Sequence, residues 1–240
     1  MSGPIAILGA TGGIGGALAR RIAARGAVPF LIGRDEGRLS ALAGELGAAS
    51  ATCDVTDPAA LKAAVQAAGS PLSGLAFCIG SIVMKPLNRA MPADFAETFA
   101  LNVTAAAMAI QAAAPALAAG QGSVVLFSSV AARSGFPGHA VIGAAKAAVE
   151  GLSLALAAEL APSVRVNCIA PSLTRTGIAT PMTKNPQMAE AIAKLHPIPR
   201  LGEAEDAAAL ADFLLSDQSG WITGQVIGVD GGRSSLRARG

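Results

Sequence analysis

The stretch Gly9-Ala10-Thr11-Gly12-Gly13-Ile14-Gly15 decides the fold of this 240-residue chain. It follows an apolar run, Ile5 to Leu8, and opens a stretch with the pattern of a helix. Small residues at such a junction permit a tight turn, and they let a pyrophosphate approach the N–H groups at the helix start. A glycine-rich loop could serve turn geometry alone, but the strand before it and the helix after it favour a dinucleotide site. We expect the cofactor to contact Gly9, Thr11, Gly13, Ile14 and Gly15.

Short apolar runs alternate with longer helical stretches along the whole chain. The runs are continuously hydrophobic, which is typical of parallel strands covered by helices on both faces. The sequence therefore predicts an α/β fold with a seven-stranded parallel sheet. The predicted strands are Ile5 to Leu8, Val28 to Ile32, Ala49 to Cys53, Leu75 to Ile79, Ser123 to Phe127, Val164 to Ile169 and Gln225 to Val229. The predicted helices are Gly13 to Arg25, Glu36 to Glu45, Pro58 to Ala68, Ala93 to Leu117, Val141 to Leu160, Pro186 to Leu195 and Glu203 to Leu215.

No repeat or linker divides these elements, so we expect one domain over residues 1–233 and a polar, frayed tail over residues 234–240. Gly26 is expected to end the first helix, and Asp57 with Pro58 to open the third. The segment from Pro171 to about Pro186 shows no obvious structure. It follows a strand at the edge where parallel sheets bind ligands, so it is either a substrate lid or a plain surface connection.

Composition narrows the class of protein. Hydrophobic residues make up 52% and charged residues 14%, which excludes a disordered chain. The basic residues are scattered and the net charge is only +2, which argues against nucleic acid as the partner. No run of 18 apolar residues and no secretory signal is visible, so we expect a cytoplasmic protein without a membrane span. The three cysteines lack metal-ligand spacing and are predicted to be reduced core residues.

The end of the second predicted strand indicates which nucleotide binds. A carboxylate there would bond the ribose 2′-OH, but here Gly33 is followed by Arg34, which can hold a 2′-phosphate. Asp35 is better placed to cap the helix that follows. We therefore expect NADP(H) in preference to NAD(H), although Arg34 could also be an ordinary surface cation. Asp54 could bond the adenine amine with Val55 packed on the ring, or Asp54 could be a turn residue.

Further motifs carry a family resemblance. They are Asp54-Val55, Asn102, Ser128-Ser129, Lys146, Asn167, the segment Pro171 to Thr176, Thr223-Gly224 and Asp230-Gly231-Gly232. With the spacing of the first glycines, they resemble the short-chain dehydrogenase/reductase family over nearly the whole chain. The resemblance implies an oxidoreductase with a single Rossmann-like doubly wound domain, NAD(P)(H) across the strand ends and a homotetramer or homodimer. It implies cofactor contacts at Gly80, Leu173 and Thr176 as well.

The same resemblance assigns catalytic roles. The family uses a tyrosine four residues before a lysine, a serine about thirteen residues earlier and a helical asparagine. Lys146, Ser129 and Asn102 match, but Ile142 stands at the tyrosine position and the chain contains no tyrosine. His139 is the first substitute proton donor to consider, although it could face away as a loop residue, and His196 is the second.

Two further departures from the family pattern concern the loops at the sheet edge. Phe77-Cys78-Ile79 replaces the residues commonly found before Gly80, and Ser172 replaces a glycine after Pro171. Apolar side chains, namely Phe136, Ile142, Leu173 and Met182, are candidates to line the remaining pocket or to belong to the core.

Three functions are compatible with these residues. The first is an atypical NADP(H)-dependent oxidoreductase that acts on a small carbonyl, imine or activated alkene, with the proton coming from water, Lys146, His139 or the substrate. The second is a catalytically silent NADP(H)-binding protein, either a sensor or a structural subunit. The third is a non-redox reaction, such as an elimination or isomerisation, in the same pocket.

Overall fold

The computed structural model describes residues 3–236, and it confirms the α/β architecture. Seven parallel strands form one sheet in the order β3-β2-β1-β4-β5-β6-β9, and two short strands, β7 and β8, form a separate parallel pair. The strands are β1 (Ile5–Leu8), β2 (Pro29–Gly33), β3 (Ala49–Thr52), β4 (Gly74–Phe77), β5 (Ser123–Phe127), β6 (Arg165–Pro171), β7 (Thr174–Arg175), β8 (Gly202–Glu203) and β9 (Val226–Val229).

Helices cover both faces of the large sheet. They are α1 (Gly13–Ala24), α2 (Glu36–Leu46), α3 (Pro58–Gln66), α4 (Pro92–Phe99), α5 (Ala105–Ala119), α6 (Ala140–Leu160), α7 (Thr180–Thr183), α8 (Pro186–Ala193) and α9 (Ala204–Leu214). One core layer packs α3, α5 and α6 against the sheet, and the other packs α1, α2 and α9. Alternate residues of β1 enter the two layers, so Ala6 and Leu8 lie in the first, and Ile5 and Ile7 in the second.

The predicted helix ends agree with the structure. Asp35 caps α2 by accepting a hydrogen bond from the N–H of Arg38, and Asp57 caps α3, which Pro58 begins. Gly26 follows α1 with a φ of +78°, a left-handed conformation that glycine adopts without steric cost.

The long helix predicted from Ala93 to Leu117 is interrupted. Between α4 and α5 the chain forms a π-helical turn, Ala100–Thr104, which contains the buried Asn102. The apolar pattern runs through this turn without a break, so periodicity alone could not reveal it. Such turns occur frequently at functional sites.

The segment after β6, predicted to lack structure, is in fact structured. It contains β7, the 3₁₀ turn Gly177–Ala179, and α7, and β7 pairs with β8 in parallel. The prediction missed these elements because two-residue strands depend on a partner distant in sequence. The beginning of the predicted tail is also bonded, since Ser234 donates to Asp230. Residues 237–240 of that tail lie outside the described residues.

Two helical stretches, Pro92–Ala119 and Ala140–Leu160, are long and apolar enough to cross a membrane by length and composition. This differs from the sequence expectation, which counted only unbroken apolar runs. Both stretches contribute buried residues to the core beside the sheet, and 39% of each apolar window is buried. Core helices commonly have this composition, so the two stretches are weak evidence for a membrane span.

The close approach of α1 to the end of β1 generates a prediction about Gly15. A methyl group on Gly15 would lie 2.3 Å from the carbonyl oxygen of Gly9, so Gly15→Ala forces the turn apart. We expect a loss of about 2 kcal/mol in the free energy of unfolding, measured by chemical denaturation. Gly44→Ala, inside α2 with nothing within 4 Å of the added carbon, is the matched control and should stabilise by up to about 1 kcal/mol. Equal effects of the two substitutions would contradict this account of the turn.

Candidate active site

A cavity of about 280 Å³ lies beyond the carboxyl ends of the central strands. Its walls come from the segments after β4, β5 and β6, from the start of α6 and from the chain after β9. The predicted site residues that line it are Ile14, Gly80, Ser129, His139, Ile142, Lys146, Leu173 and Thr176, together with Phe136 and Met182. This is the edge at which open parallel sheets bind ligands.

The glycine-rich turn can accept a dinucleotide. Gly12 precedes α1 and has no side chain to cap the helix, and no acidic residue occupies the first turn. The N–H groups at the start of α1 are therefore available to an anionic group. A methyl group on Gly13 would lie 2.7 Å from the Cγ2 atom of Thr176, so the turn packs closely against the chain after β7. The uncapped helix start fits a bound pyrophosphate, and Thr176 lies directly beside the turn.

The adenosine end of the predicted site lies outside the cavity, after β2 and β3. Arg34 is exposed there. Arg38 on α2 was missed by the sequence analysis, and its guanidinium donates to the carbonyl oxygen of Thr11 at 2.5 Å. The available signal was a basic residue in the first turn of a helix, where acidic residues are favoured. Two cations thus lie on this side of the glycine-rich turn.

Asp54 adopts the turn role that the sequence left open. Its carboxylate accepts hydrogen bonds from the N–H and hydroxyl groups of Thr56, at 2.9 and 2.7 Å. These bonds lower the pKa of Asp54, and the charge of Arg34 adds to them. Val55 is buried in the core beside it. Contact of either residue with an adenine ring stays a prediction.

Lys146 is a buried ionisable group at the wall of the cavity. It is 7% exposed, and its ammonium donates to the backbone carbonyl of Phe127 at 2.9 Å. Burial lowers the pKa of Lys146 to about 8, because a charge is poorly stabilised away from water. At neutral pH the wall of the cavity therefore contains a positive charge that destabilises the folded protein.

The side chains of Asn102 and Lys146 both reach the space beside Gly80. A methyl group on Gly80 would lie 3.0 Å from both the Oδ1 atom of Asn102 and the Nζ atom of Lys146. The amide nitrogen of Asn102 is held by the carbonyl of Thr98 and the hydroxyl of Ser81, at 2.9 and 3.2 Å. Its Oδ1 atom is buried and has no hydrogen-bond partner in the part of the chain that the structure describes. A buried acceptor in this position suits a bound water or ligand hydroxyl.

Ser128 and Ser129 differ in what their hydroxyls contact. The Oγ atom of Ser128 lies 3.0 Å from both the carbonyl oxygen of Lys146 and the carboxylate of Glu150, so it is occupied by α6. The Oγ atom of Ser129 accepts from the N–H of Ala131 at 3.1 Å, which leaves its proton available. Of the two, Ser129 is therefore the one that can donate to a substrate.

His139 immediately precedes α6 and lines the cavity. Its Nδ1 atom lies 2.9 Å from the carbonyl oxygen of Pro137, so Nδ1 carries a proton that it donates to this oxygen, and Nε2 is the ring nitrogen left for a ligand. Ile142 lies one helical turn before Lys146 and lines the cavity beside it. The site therefore contains one imidazole and no phenol.

Ser172 and His196 form a buried pair that the sequence analysis did not join. The Oγ atom of Ser172 lies 2.8 Å from Nε2 of His196, and Nδ1 of His196 faces the carbonyl oxygens of Ile192 and Ala193 at the end of α8. Ser172 lines the cavity, whereas His196 lies behind it. The two residues are 24 positions apart in the sequence, and the pairing of β7 with β8 helps to bring their segments together.

Comparisons with known proteins agree with this arrangement. Residues 9–234 match a family model described as Enoyl-(Acyl carrier protein) reductase. The tropinone reductase homolog At5g06060 of Arabidopsis thaliana is 33% identical over 237 residues, covering 94% of this chain and 90% of that protein. A short-chain type dehydrogenase/reductase from Mycobacterium ulcerans superposes with a TM-score of 0.92 at 33% identity, covering 99% and 91% of the two chains. A gluconate 5-dehydrogenase from Burkholderia cenocepacia J2315, solved with NADP and tartrate, gives 0.92 at 27% identity, covering 98% and 96%.

Removal of the buried cation should stabilise the protein without ligand. We expect Lys146→Met to raise the free energy of unfolding at pH 7 by about 2 kcal/mol. Burial of the charge costs about 1.4 kcal/mol for each unit of pKa shift, and loss of the hydrogen bond to Phe127 offsets about 1 kcal/mol of the gain from removing that charge. The buried charge destabilises the folded protein by its full amount below about pH 8. This destabilisation declines as the pH rises towards 10.5, the ordinary pKa of lysine. The gain should therefore shrink between these values.

Chemical denaturation at pH 7 and at pH 10 measures this difference. Lys62→Met is the control, since Lys62 is exposed on α3 and should change the unfolding free energy by less than about 0.5 kcal/mol at either pH. A stabilisation by Lys146→Met that grows with pH would show that the lysine is not penalised by burial.

Proposed function

The chain belongs to the short-chain dehydrogenase/reductase family, and on this basis we propose that it is an NADP(H)-dependent oxidoreductase with an atypical active site, transferring a hydride to or from a small organic substrate. The observation that carries this proposal is the buried ammonium of Lys146 beside the Oδ1 atom of Asn102. A cation so poorly stabilised is costly to keep. A role toward a bound cofactor and substrate accounts for it.

In this proposal the nicotinamide supplies or accepts the hydride, and the chain holds it in place. The N–H groups at the start of α1 bind the pyrophosphate, and Thr176 and Leu173 hold the nicotinamide end against the cavity. Lys146 bonds the neighbouring ribose, with Gly80 leaving the space between. Arg34 and Arg38 bind the 2′-phosphate, because two guanidinium groups match its charge and geometry.

We propose that Ile142 stands where the family has its tyrosine, which limits the substrates. Ser129 can orient a polar substrate atom, and His139 can donate a proton from Nε2, although neither replaces a phenol with a lowered pKa. A ketone needs a proton on oxygen as the hydride arrives, and a positioned acid contributes about 10² to 10⁴ in rate. An iminium already carries positive charge, and an activated alkene can be protonated on carbon afterwards. These two classes therefore suit the site better.

The competing proposal is a catalytically silent NADP(H)-binding protein. The absence of tyrosine from the chain favours it. The available proton of Ser129 and the unpartnered acceptor of Asn102 favour an active site, because a silent protein gains nothing from either.

We also propose a cytoplasmic homotetramer or homodimer that associates through α5 and α6. Much of the apolar surface on these helices is not covered by the chain itself, and Met108 and Leu154 are exposed. Alanine-rich faces permit close helix contact.

NADPH should bind at least several-fold more tightly than NADH, because only NADPH carries the phosphate that Arg34 and Arg38 can bind. Arg34→Asp should reverse this order. Arg89→Asp, an exposed change in the segment between β4 and α4, should leave this order intact. Isothermal titration calorimetry with NADPH and NADH measures the order of the two affinities. Equal affinities in the unmodified protein would contradict the proposed preference for NADP(H).

A panel of ketones, cyclic imines and activated alkenes, each assayed with NADPH by absorbance at saturating cofactor, tests the proposed reaction. We expect turnover with imines or activated alkenes and little with simple ketones. Cofactor affinity is measured on the same preparation. Tight NADPH binding with no turnover on any class would favour the silent protein.

Ile142→Tyr is the matched gain-of-function variant. A phenol one turn before Lys146 would share a helix face with the ammonium, which would lower its pKa towards neutrality. We expect ketone reduction to appear or to rise by at least about tenfold. Ile142→Phe controls for the ring without the hydroxyl. A crystal structure of Ile142→Tyr with the hydroxyl turned away from the cavity would refute our alignment of Ile142 with the family's acid.

A further inference from the structure

Arg233 lies in the same cavity as Ser129 and Lys146, but neither the cofactor nor the hydride transfer uses it. It follows β9, and its guanidinium carbon lies 4.9 Å from the centroid of the Phe136 ring. The ring of His139 also packs against Phe136, with 5.3 Å between the two ring centroids. Phe136 therefore connects the arginine with the histidine of the site.

The guanidinium forms no direct ion pair among residues 3–236, although the charge of Asp230 acts on it through space. It makes no side-chain hydrogen bond and no salt bridge with any residue from 3 to 236, although it is partly buried. Asp230 is the acidic residue near it. Its carboxylate is occupied by the N–H groups of Gly232 and Ser234, at 2.9 and 3.0 Å, and by the hydroxyl of Ser234.

The charges around the cavity are of one sign. Its ionisable side chains besides the thiol of Cys78 are Lys146, His139 and Arg233, and none of the described lining residues is acidic. Much of the cavity wall is apolar, including Ile178, Met182 and Ile192. A partly buried guanidinium at an apolar wall, with no direct ion pair among the described residues, attracts an anionic ligand.

We infer that Arg233 binds a carboxylate on the substrate, so that the substrate is a small organic acid whose remaining part is apolar. Planar guanidinium groups recognise carboxylates with two parallel hydrogen bonds, and the contact with Phe136 holds the group in place. The apolar wall takes the carbon chain, and the reducible bond lies towards Ser129 and Lys146. This inference rests on the proposed function, since it takes this cavity for the substrate site.

Binding of unreactive ligands tests the inference without turnover. Hexanoate and its neutral counterpart hexanamide are titrated calorimetrically into the protein, with and without saturating NADP⁺. We expect hexanoate to bind at least about tenfold more tightly than hexanamide. Arg233→Met should abolish this preference, and Arg233→Lys, which keeps the charge, should retain part of it.

Arg89→Met serves as the control for loss of an exposed arginine, and the melting temperature and NADPH affinity of each variant verify its fold. Equal binding of the two ligands, or no measurable binding of hexanoate, overturns the inference. A preference for hexanoate over hexanamide that persists in Arg233→Met also overturns the inference, because Lys146 or His139 would then bind the carboxylate. A preference that Arg233 controls, in a protein without turnover, upholds this site and refutes only the proposed hydride transfer.

Discussion

The rest of the site depends on how closely α1 approaches the end of β1. Because Gly15 has no side chain, α1 can begin directly beside the end of β1. The carbonyl oxygen of Gly9 occupies the space that a side chain at Gly15 would need. That contact directs the uncapped N–H groups of α1 towards the carboxyl edge of the sheet. It also brings Gly13 against Thr176, which belongs to the opposite wall of the cavity. One close backbone contact thus sets the distance between the two sides of the proposed cofactor site.

The second constraint is electrostatic and originates in α6. This helix carries Ile142 and Lys146 on the face towards the cavity, and Glu150 one turn later bonds Ser128 and the exposed Arg133 instead of the lysine. Among the described residues, the ammonium of Lys146 therefore has the carbonyl of Phe127 as its hydrogen-bond partner. The result is a site with cationic walls, suited to an anionic cofactor and, in our inference, to an anionic substrate. In our proposal, the buried charge of Lys146 that reduces stability is also the charge that binds the cofactor.

Most of the fold followed from the sequence because most strands are largely apolar runs between glycine, proline and polar residues. Each of the seven strands of the main sheet was located to within two residues. The π-helical turn around Asn102 was missed because the apolar pattern continues through it, and β7 was missed because its pairing with β8 is not local. Family spacing selected Ser129 over Ser128, and the hydroxyl contacts agree with that choice. No sequence pattern could indicate that Arg38 reaches Thr11 or that His139 turns into the cavity, since both depend on packing between distant segments.

The pair formed by Ser172 and His196 has a consequence for access to the cavity. Ser172 lies at the base of the segment that covers one side of it, and His196 joins this base to the end of α8. The pairing of Thr174 with Gly202 adds a second attachment. We therefore expect this segment to be braced at its base, so that moving it away from the cavity breaks both attachments. Ligand exchange on this side would then depend on a collective movement and not on the rapid fluctuations of a free loop.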